Sequence, residues 1–199
     1  MRCYFLNIAH KILATAINNR LKTYAEDLLS QEQNGFRRNR STTDNIFIMR
    51  QILEKCYEYN IEMYVLFIEF KQAFDSVGKQ KIIQILQELR VPNRLVRLIN
   101  MTIQNTEASV KIENLTYNPF SITSGVRQGD PFSAKIFSLI LDAVIKKLIL
   151  RVDLSLKLKQ IVAYAVDVAL VARSLKALKE IFRKLKNETT LVGLSINEG

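Results

Sequence analysis

Two acidic side chains lie at the ends of predicted strands, where a carboxylate can be held rigidly. Residues 63–69 form a nearly continuous apolar run that ends in Glu69, the pattern of a central strand buried on both faces. Residues 161–165 and 168–172 are predicted as two short strands, with Asp167 in the tight turn between them. Each acid also has a structural interpretation, since a strand-end glutamate is usually solvated and an aspartate in a turn usually stabilises that turn. Taken singly, the structural interpretation is favoured for each.

A glycine-containing loop could bind an anion. Residues 124–133 place Arg127, Gln128 and Gly129 just before a helix that should begin at Pro131, because proline suits a first helical turn. Glycine permits close backbone approach, and a helix N-terminus is a natural place for a phosphate or a nucleotide. The alternative is a simple helix cap.

The segments that must position these groups alternate between helices and short strands. Helical spacing of apolar residues predicts a first helix over residues 6–29 and a second with Ile46, Met49, Leu53 and Tyr57 on one face. Three further helices and a hairpin complete the prediction, at residues 79–90, 93–104, from Ser174 to about 190, and 108–112 with 119–123. The predicted fold class is α+β, a small antiparallel sheet packed against several helices.

The charge balance favours a polyanionic partner. The chain has 199 residues, and 29 Lys and Arg against 19 Asp and Glu give a formal charge of +10. Nucleic acid suits this excess, although an acidic membrane surface or mere solubility would also fit. Cys3 and Cys56 fit neither a disulfide framework nor a metal site, and the single His10 is predicted to lie on a helix surface. Without a predicted signal peptide or transmembrane segment, we expect an intracellular protein, in the nucleus or cytoplasm, with no membrane partner.

In their order along the chain, these motifs resemble the reverse-transcriptase domain (RNA-directed DNA polymerase) of non-LTR, LINE-like retrotransposons. QNGFRRNRSTTD at residues 33–44 is similar to the fingers signature of that family. Residues 124–133 match the loop before the long palm helix, and residues 193–197 resemble the motif that closes the palm. The resemblance covers nearly the whole chain, and it identifies a transposable-element protein.

The resemblance implies a polymerase right-hand fold and a division of the chain. Residues 1–60 are expected to form a fingers-like helical segment and residues 61–199 the palm. The palm would contain the nucleotide-binding loop at residues 124–133 and the hairpin at residues 161–172. The thumb is expected to be absent.

The resemblance also implies two-metal nucleotidyl transfer, with two Mg²⁺ ions bound by carboxylates on rigid strand ends. The family has aspartate where Glu69 lies and an aspartate pair at the hairpin. Here Val166 occupies the position of the first hairpin aspartate and has no ligand atom, whereas Asp167 remains. Glu69 and Asp167 are therefore the predicted catalytic and metal-binding residues of a degenerate site, whose activity is expected to be lost or impaired.

Further roles come only from the resemblance. The expected partners are an RNA template, a DNA primer and a deoxynucleoside triphosphate, and the oligomeric state is not predicted. The predicted nucleotide-binding residues are Phe70, Phe74, Gln128 and Gly129. The residues predicted to contact template or phosphate are Arg37, Arg38, Arg40 and Arg127. A solvated charge run is the alternative for Arg37, Arg38 and Arg40. A non-catalytic nucleic-acid-binding module retained from a transposon is the alternative function.

Overall fold

Seven helices and nine short strands make up the part of the chain that the computed structural model describes, residues 8–113, 115–127, 129–151 and 161–197. The helices are α1 Ile8–Leu28, α2 Thr42–Glu58, α3 Ala73–Ser76, α4 Lys79–Glu88, α5 Asn93–Ile103, α6 Ser133–Arg151 and α7 Leu175–Leu191. The strands are β1 Tyr64–Ile68, β2 Phe70–Lys71, β3 Thr106–Ala108, β4 Lys111–Ile112, β5 Leu115–Thr116, β6 Phe120–Ile122, β7 Ile161–Tyr164, β8 Asp167–Ala172 and β9 Ser195–Ile196. Helices packed around small antiparallel sheets confirm the predicted α+β class.

The central sheet has three antiparallel strands in the order β1-β8-β7. β1 is paired with β8 alone in this sheet, from Tyr64 opposite Ala172 to Ile68 opposite Val168, and it therefore lies at an edge. The prediction of a central strand buried on both faces is therefore wrong for β1. Only Ile68 of this strand is buried, because α2 covers just part of the face on which Phe67 lies.

The two faces of this sheet have different cover. On one face Ile68, Val168 and Leu170 join the main core, which includes buried residues of α1, α4, α5, α6 and α7. On the other face Val171 packs against Ile52 and Cys56 of α2. Because successive side chains of a strand point to opposite faces, β1 and β8 separate the main core from the α2 side of the sheet.

The long helix α6 is the centre of the main core. Its fully buried side chains include Ile136, Phe137, Leu139, Ile140, Leu141 and Ile145. A helix that is apolar around most of its circumference must be covered on most sides, and α1, α4 and α7 pack around this one. It begins at Ser133 rather than at the predicted Pro131, since Pro131 and Phe132 lie in a turn closed by a bond from the Ser133 amide to the Asp130 carbonyl, 3.1 Å.

Two helices begin at a serine whose side chain caps them, α2 at Ser41 and α7 at Ser174. Ser174 accepts a hydrogen bond from the Ala177 amide, which confirms the predicted start of α7. At α2, Ser41 and Asp44 form a capping box. The apolar face predicted for α2 is only in part its packed face. Met49 packs beside the buried Ile52 and Cys56. The other predicted residues, Ile46, Leu53 and Tyr57, are exposed.

The remaining strands form two-stranded ribbons. In the predicted hairpin, Thr106 pairs with Ile122, and the inner pair β4–β5 extends the same ribbon. The short strand β2 pairs with β9, placing Phe70 opposite Ile196. None of the helices in the described ranges is both long and apolar enough to span a bilayer.

Candidate functional site

The two predicted carboxylates meet at one end of the central sheet. The β1–β8 register ends with Ile68 opposite Val168, and continuing it by one residue places Glu69 opposite Asp167. Both acids line a cleft of about 760 Å³ between α2 and the sheet. Ile46, Met49 and Leu53 form the α2 wall of this cleft. Two acidic residues that are far apart in the sequence thus line the same cleft, and their catalytic and metal-binding roles stay predictions.

The segment at residues 193–197 forms hydrogen bonds with Glu69. The Asn197 amide donates to the Glu69 carbonyl at 2.8 Å, and Nδ2 of Asn197 donates to Oε2 of Glu69 at 3.3 Å. Gly193 turns the chain there with a positive φ of 89°, and a Cβ on it would lie 2.6 Å from the Ser76 carbonyl oxygen. The motif therefore fixes the backbone that carries Glu69.

Val166 adds an apolar side chain where the resemblance implies a metal ligand. Its side chain is half-buried and packs against the main core. Ala165 before it has a left-handed φ of 56°, so the turn is tight and specifically shaped. Among the residues that the structure describes, no three His, Cys, Asp or Glu side chains form a group that could hold a metal ion. The donors present, Glu69 and Asp167, do not fit a pair of divalent ions.

Gln33 holds the hairpin turn, a role that the sequence did not reveal. Its side chain is completely buried, and its Oε1 accepts hydrogen bonds from the amides of Gly35 at 2.9 Å and Ala165 at 3.0 Å. Its Nε2 approaches the Ala165 carbonyl at 3.5 Å. A buried amide that satisfies two backbone donors positions both segments, because either donor left unpaired would cost free energy.

Backbone contacts extend this attachment along the hairpin. The Asn34 amide donates to the Ala163 carbonyl at 3.0 Å, and the same carbonyl accepts from Nδ2 of Asn45 at 3.2 Å. Gly35 packs directly on the turn: a Cβ at this position would lie 2.0 Å from the Ala165 nitrogen. Residues 33–35, which we call the brace, thus join the loop between α1 and α2 to the strand pair that carries Asp167.

The basic loop after the brace divides into inward and outward side chains. Arg37, with its side chain only 10% exposed, donates to Glu26 at 2.9 Å and to the Ser30 carbonyl at 2.6 Å. Its guanidinium is thus bound within the protein, which gives Arg37 a structural role. Arg38 and Arg40 are exposed and remain the side chains of this loop that could reach phosphates.

Lys135 of α6 ties this loop to the core. Its ammonium donates to the Phe36 carbonyl. Burial lowers the pKa of Lys135, and the carboxylate of Glu26 opposes that shift. Sequence reasoning did not find this contact, because it joins residues that are far apart in the chain.

The predicted nucleotide loop is anchored at its start. The Gly125 amide donates to the Val77 carbonyl and the Val126 amide to the Phe74 carbonyl, both at 2.7 Å. Gly125 has a φ of 81°, and a Cβ on it would lie 2.6 Å from Asp75 Cα, so only glycine fits. Gln128 lies outside the described residues. Gly129, by contrast, faces open space, as close backbone approach of a ligand would require.

His10 has a role in this loop that contradicts its prediction as a surface residue. Nε2 of His10 lies 2.8 Å from Oδ2 of Asp130, whose side chain is 3% exposed. One guanidinium nitrogen of Arg127 lies 3.4 Å from both ring nitrogens. Beside the loop, burial and the charge of Arg127 lower the pKa of Lys79. Arg127 thus faces His10, and its predicted phosphate contact stays a prediction.

The two predicted aromatic residues differ in exposure. Phe70 is buried in the main core, where it has a packing role. Phe74 is half-buried, with its ring centroid 5.0 Å from that of Phe137. Of the two rings, only Phe74 leaves surface for a nucleotide.

An α+β palm with paired acids at a strand end and a hairpin, next to a glycine-containing loop, defines a right-hand polymerase. The family described as "Reverse transcriptase (RNA-dependent DNA polymerase)" matches residues 1–199, and the chain belongs to this family. The predicted reverse-transcriptase domain of a LINE-like, non-LTR retrotransposon is therefore confirmed.

Proteins from mobile elements are similar in sequence. The 149 kDa protein of transposon TX1 from Xenopus laevis is 31% identical over 182 residues, 85% of this chain and 13% of that protein. The Pol polyprotein of the type-2 retrotransposable element R2DM from Drosophila melanogaster is 24% identical, over 94% of this chain and 17% of the polyprotein. This chain thus spans less than a fifth of either relative.

Telomerase structures show the same fold. The telomerase of Candida albicans, solved in complex with the TWJ fragment of telomeric RNA, superposes with a TM-score of 0.71 at 12% identity. The match covers 94% of this chain and 33% of the telomerase chain. Apo telomerase of Candida tropicalis superposes with the same TM-score of 0.71, at 13% identity. The predicted right-hand polymerase fold is therefore confirmed.

Proposed function

We propose that this chain is a reverse-transcriptase domain that retains nucleic-acid binding but has lost efficient nucleotidyl transfer. In this proposal residues 1–60 act as fingers and residues 61–199 as the palm. The observation that carries it is Val166, which packs against the core where a metal ligand is needed and leaves Glu69 and Asp167 as the carboxylates of the cleft.

The chemistry of the donor set supports loss of activity. The family generally uses divalent metal ions, and two such ions stabilise both the attacking and the leaving oxygen in nucleotidyl transfer. The finer assignment, a pair of Mg²⁺ ions on this chain, lacks its donors because valine offers no oxygen. Glu69 also extends one methylene beyond aspartate, and a displacement of about 1 Å at a reacting centre can cost about 10²-fold in rate.

The surface of the fingers-like segment supports nucleic-acid binding. Members of the family bind nucleic acid, and we assign to this chain an RNA template, a DNA primer and, at the loop with Gly129 and Phe74, a deoxynucleoside triphosphate. Such partners imply an intracellular location, in the nucleus or cytoplasm. The net charge of +10 and the exposed Arg38 and Arg40 suit phosphate contacts.

A primer-extension assay tests the catalytic part of this proposal. With an RNA template, a DNA primer and either Mg²⁺ or Mn²⁺, we expect incorporation at the level of a protein-free control, because the third carboxylate is missing. Extension should be read from labelled primer on a denaturing gel, after binding of the primer–template has been shown. Robust, metal-dependent extension by the natural chain would contradict it.

Salt dependence tests the binding part. Affinity for a single-stranded RNA should decrease steeply with salt, and the double variant Arg38→Ala, Arg40→Ala should bind more weakly. Each phosphate contact on a single strand contributes about 0.7 to the slope of log K against log salt, so the double variant should lose about 1.4. Fluorescence anisotropy over a salt series measures this slope.

The matched control removes the same charge elsewhere. Arg94 and Arg97 are exposed on α5, outside the cleft. The variant Arg94→Ala, Arg97→Ala should keep the slope of the natural chain within error. Equal loss from both double variants would show that net charge, and not the basic loop, determines binding.

A further inference from the structure

Phe67 presents an uncovered aromatic ring in the cleft that holds the two acids. Phe67 is 76% exposed, although it lies within a strand of the central sheet. Its partner in the β1–β8 register is Ala169, whose methyl group is too small to cover a phenyl ring. The face of the ring is therefore open to the cleft.

Packing among the residues that the structure describes does not account for this ring. Helix α2 meets the sheet around Val171, which lies opposite Val65, and there Ile52 and Cys56 make the buried contacts. Phe67 lies two residues further along the same face, beyond that contact. Covering a phenyl side chain is worth about 1.5–3 kcal/mol, so an occupant with a flat apolar face would be stabilised here.

The surroundings of the ring define the chemistry of that occupant. Glu69 lies on the same face of the chain as Phe67, and Asp167 lies opposite Glu69 on the neighbouring strand, so hydrogen-bond acceptors lie close to the apolar ring. Arg40 directly precedes Ser41, the N-cap of α2, and thus lies at the end of the cleft where Asn45 is found. Single-stranded nucleic acid fits this chemistry. Its bases have flat apolar faces and polar edges with donors, and its phosphates bind cations such as Arg40.

We propose that Phe67 is a base-stacking platform, on which a nucleobase of a single-stranded RNA or DNA segment lies with its polar edge toward Glu69 and Asp167. This assignment rests on the proposed nucleic-acid binding and adds the subsite where a base, rather than a phosphate, is held. An apolar protein segment in the same place would cover the ring but bring no further hydrogen-bond donors to the two carboxylates beside it, an unfavourable arrangement.

Substitution of Phe67 separates stacking from charge. Base stacking on an aromatic side chain is worth about 1–3 kcal/mol, so Phe67→Ala should weaken binding of a short single-stranded RNA about 5- to 150-fold. Because no charge changes, the slope of log K against log salt should stay that of the natural chain. Phe67→Trp should retain or improve affinity. A 2-aminopurine placed in the oligonucleotide should be quenched on binding to the natural chain and less so with Phe67→Ala.

Phe47 provides the matched control. It is a second exposed phenylalanine, 61% exposed on α2, and it does not line the cleft. Phe47→Ala should bind as the natural chain does, and both variants should keep its unfolding temperature because both rings are exposed. The same oligonucleotide series in DNA shows whether the subsite distinguishes the two sugars.

The outcomes distinguish this inference from the function on which it rests. If the natural chain binds neither RNA nor DNA, the proposed function is wrong and the stacking subsite with it. If the natural chain binds and Phe67→Ala binds equally well, nucleic-acid binding is retained and the stacking subsite is excluded. Equal weakening by Phe47→Ala and Phe67→Ala would likewise overturn it.

Discussion

Replacing Gly35 by alanine should destabilise this protein by about 3 kcal/mol, at the upper end of what an over-packed site costs. The added Cβ would lie 2.0 Å from the nitrogen and 2.6 Å from the Cα of Ala165. Both atoms belong to the backbone of the hairpin turn, so no side-chain rotation can relieve the overlap. The turn must move away from the brace, and the bonds of Gln33 to Gly35 and Ala165 must lengthen. Equilibrium unfolding in urea measures the loss.

Gly78→Ala is the control for this substitution. A Cβ at Gly78 would have Lys81 side-chain atoms at 3.7 Å and 3.9 Å, which is ordinary contact. Its φ of −66° suits alanine, and the loss should stay within about 1 kcal/mol, the usual cost of a poorer helix N-cap. Equal stability of the Gly35→Ala variant and the natural chain would show that the hairpin is not braced by this contact.

Restoring aspartate at both altered positions should make stability depend on divalent metal. Without metal, the double variant Glu69→Asp, Val166→Asp should be about 1–3 kcal/mol less stable than the natural chain, because a half-buried apolar contact becomes a carboxylate beside Asp167. With Mn²⁺ or Mg²⁺ at 100 times its dissociation constant, binding should return about 2.7 kcal/mol, or roughly 5–10 °C in unfolding temperature. Thermal unfolding with and without metal shows the difference.

A variant with a neutral side chain at position 166 shows how much of the metal binding depends on the second carboxylate of the hairpin. Glu69→Asp combined with Val166→Asn has nearly the same shape but no second hairpin carboxylate, so metal should shift its unfolding temperature little. The natural chain should behave like this control. A metal-induced shift of the natural chain as large as that of the double aspartate variant would show that Val166 had not disabled the site.

Local patterns predicted the elements of this fold well. The hydroxyl of Ser174 and the apolar spacing after it depend only on neighbours in sequence, and α7 begins where they indicate. The position of a strand within the sheet, by contrast, does not depend on its neighbours in sequence. An apolar run at residues 63–69 predicted a strand, but whether β1 is central or at an edge depends on where β8 pairs and how far α2 extends.

Side-chain roles were predicted only where they followed from the family motif. The motif singled out Glu69 and Asp167, which line one cleft in the structure. Arg37 has the same residue type as the exposed Arg38, and nothing in sequence spacing showed that Glu26 and the Ser30 carbonyl would bind it. His10 meets Asp130 across 120 positions, so its partner could not be inferred from neighbouring residues.

Because β1 pairs with β8, the ribosome makes β1 long before the strand with which it pairs. β1 ends at Ile68, and its only partner in the described sheet, β8, begins at Asp167. At ribosomal rates of about 5–20 residues per second, β1 waits on the order of 5–20 seconds with both edges unpaired. Gln33 likewise waits for Ala165, whose backbone forms hydrogen bonds with its side chain. A nascent chain therefore carries an open apolar strand from the synthesis of β1 until that of β8, a state that is prone to aggregation and favours protection by chaperones.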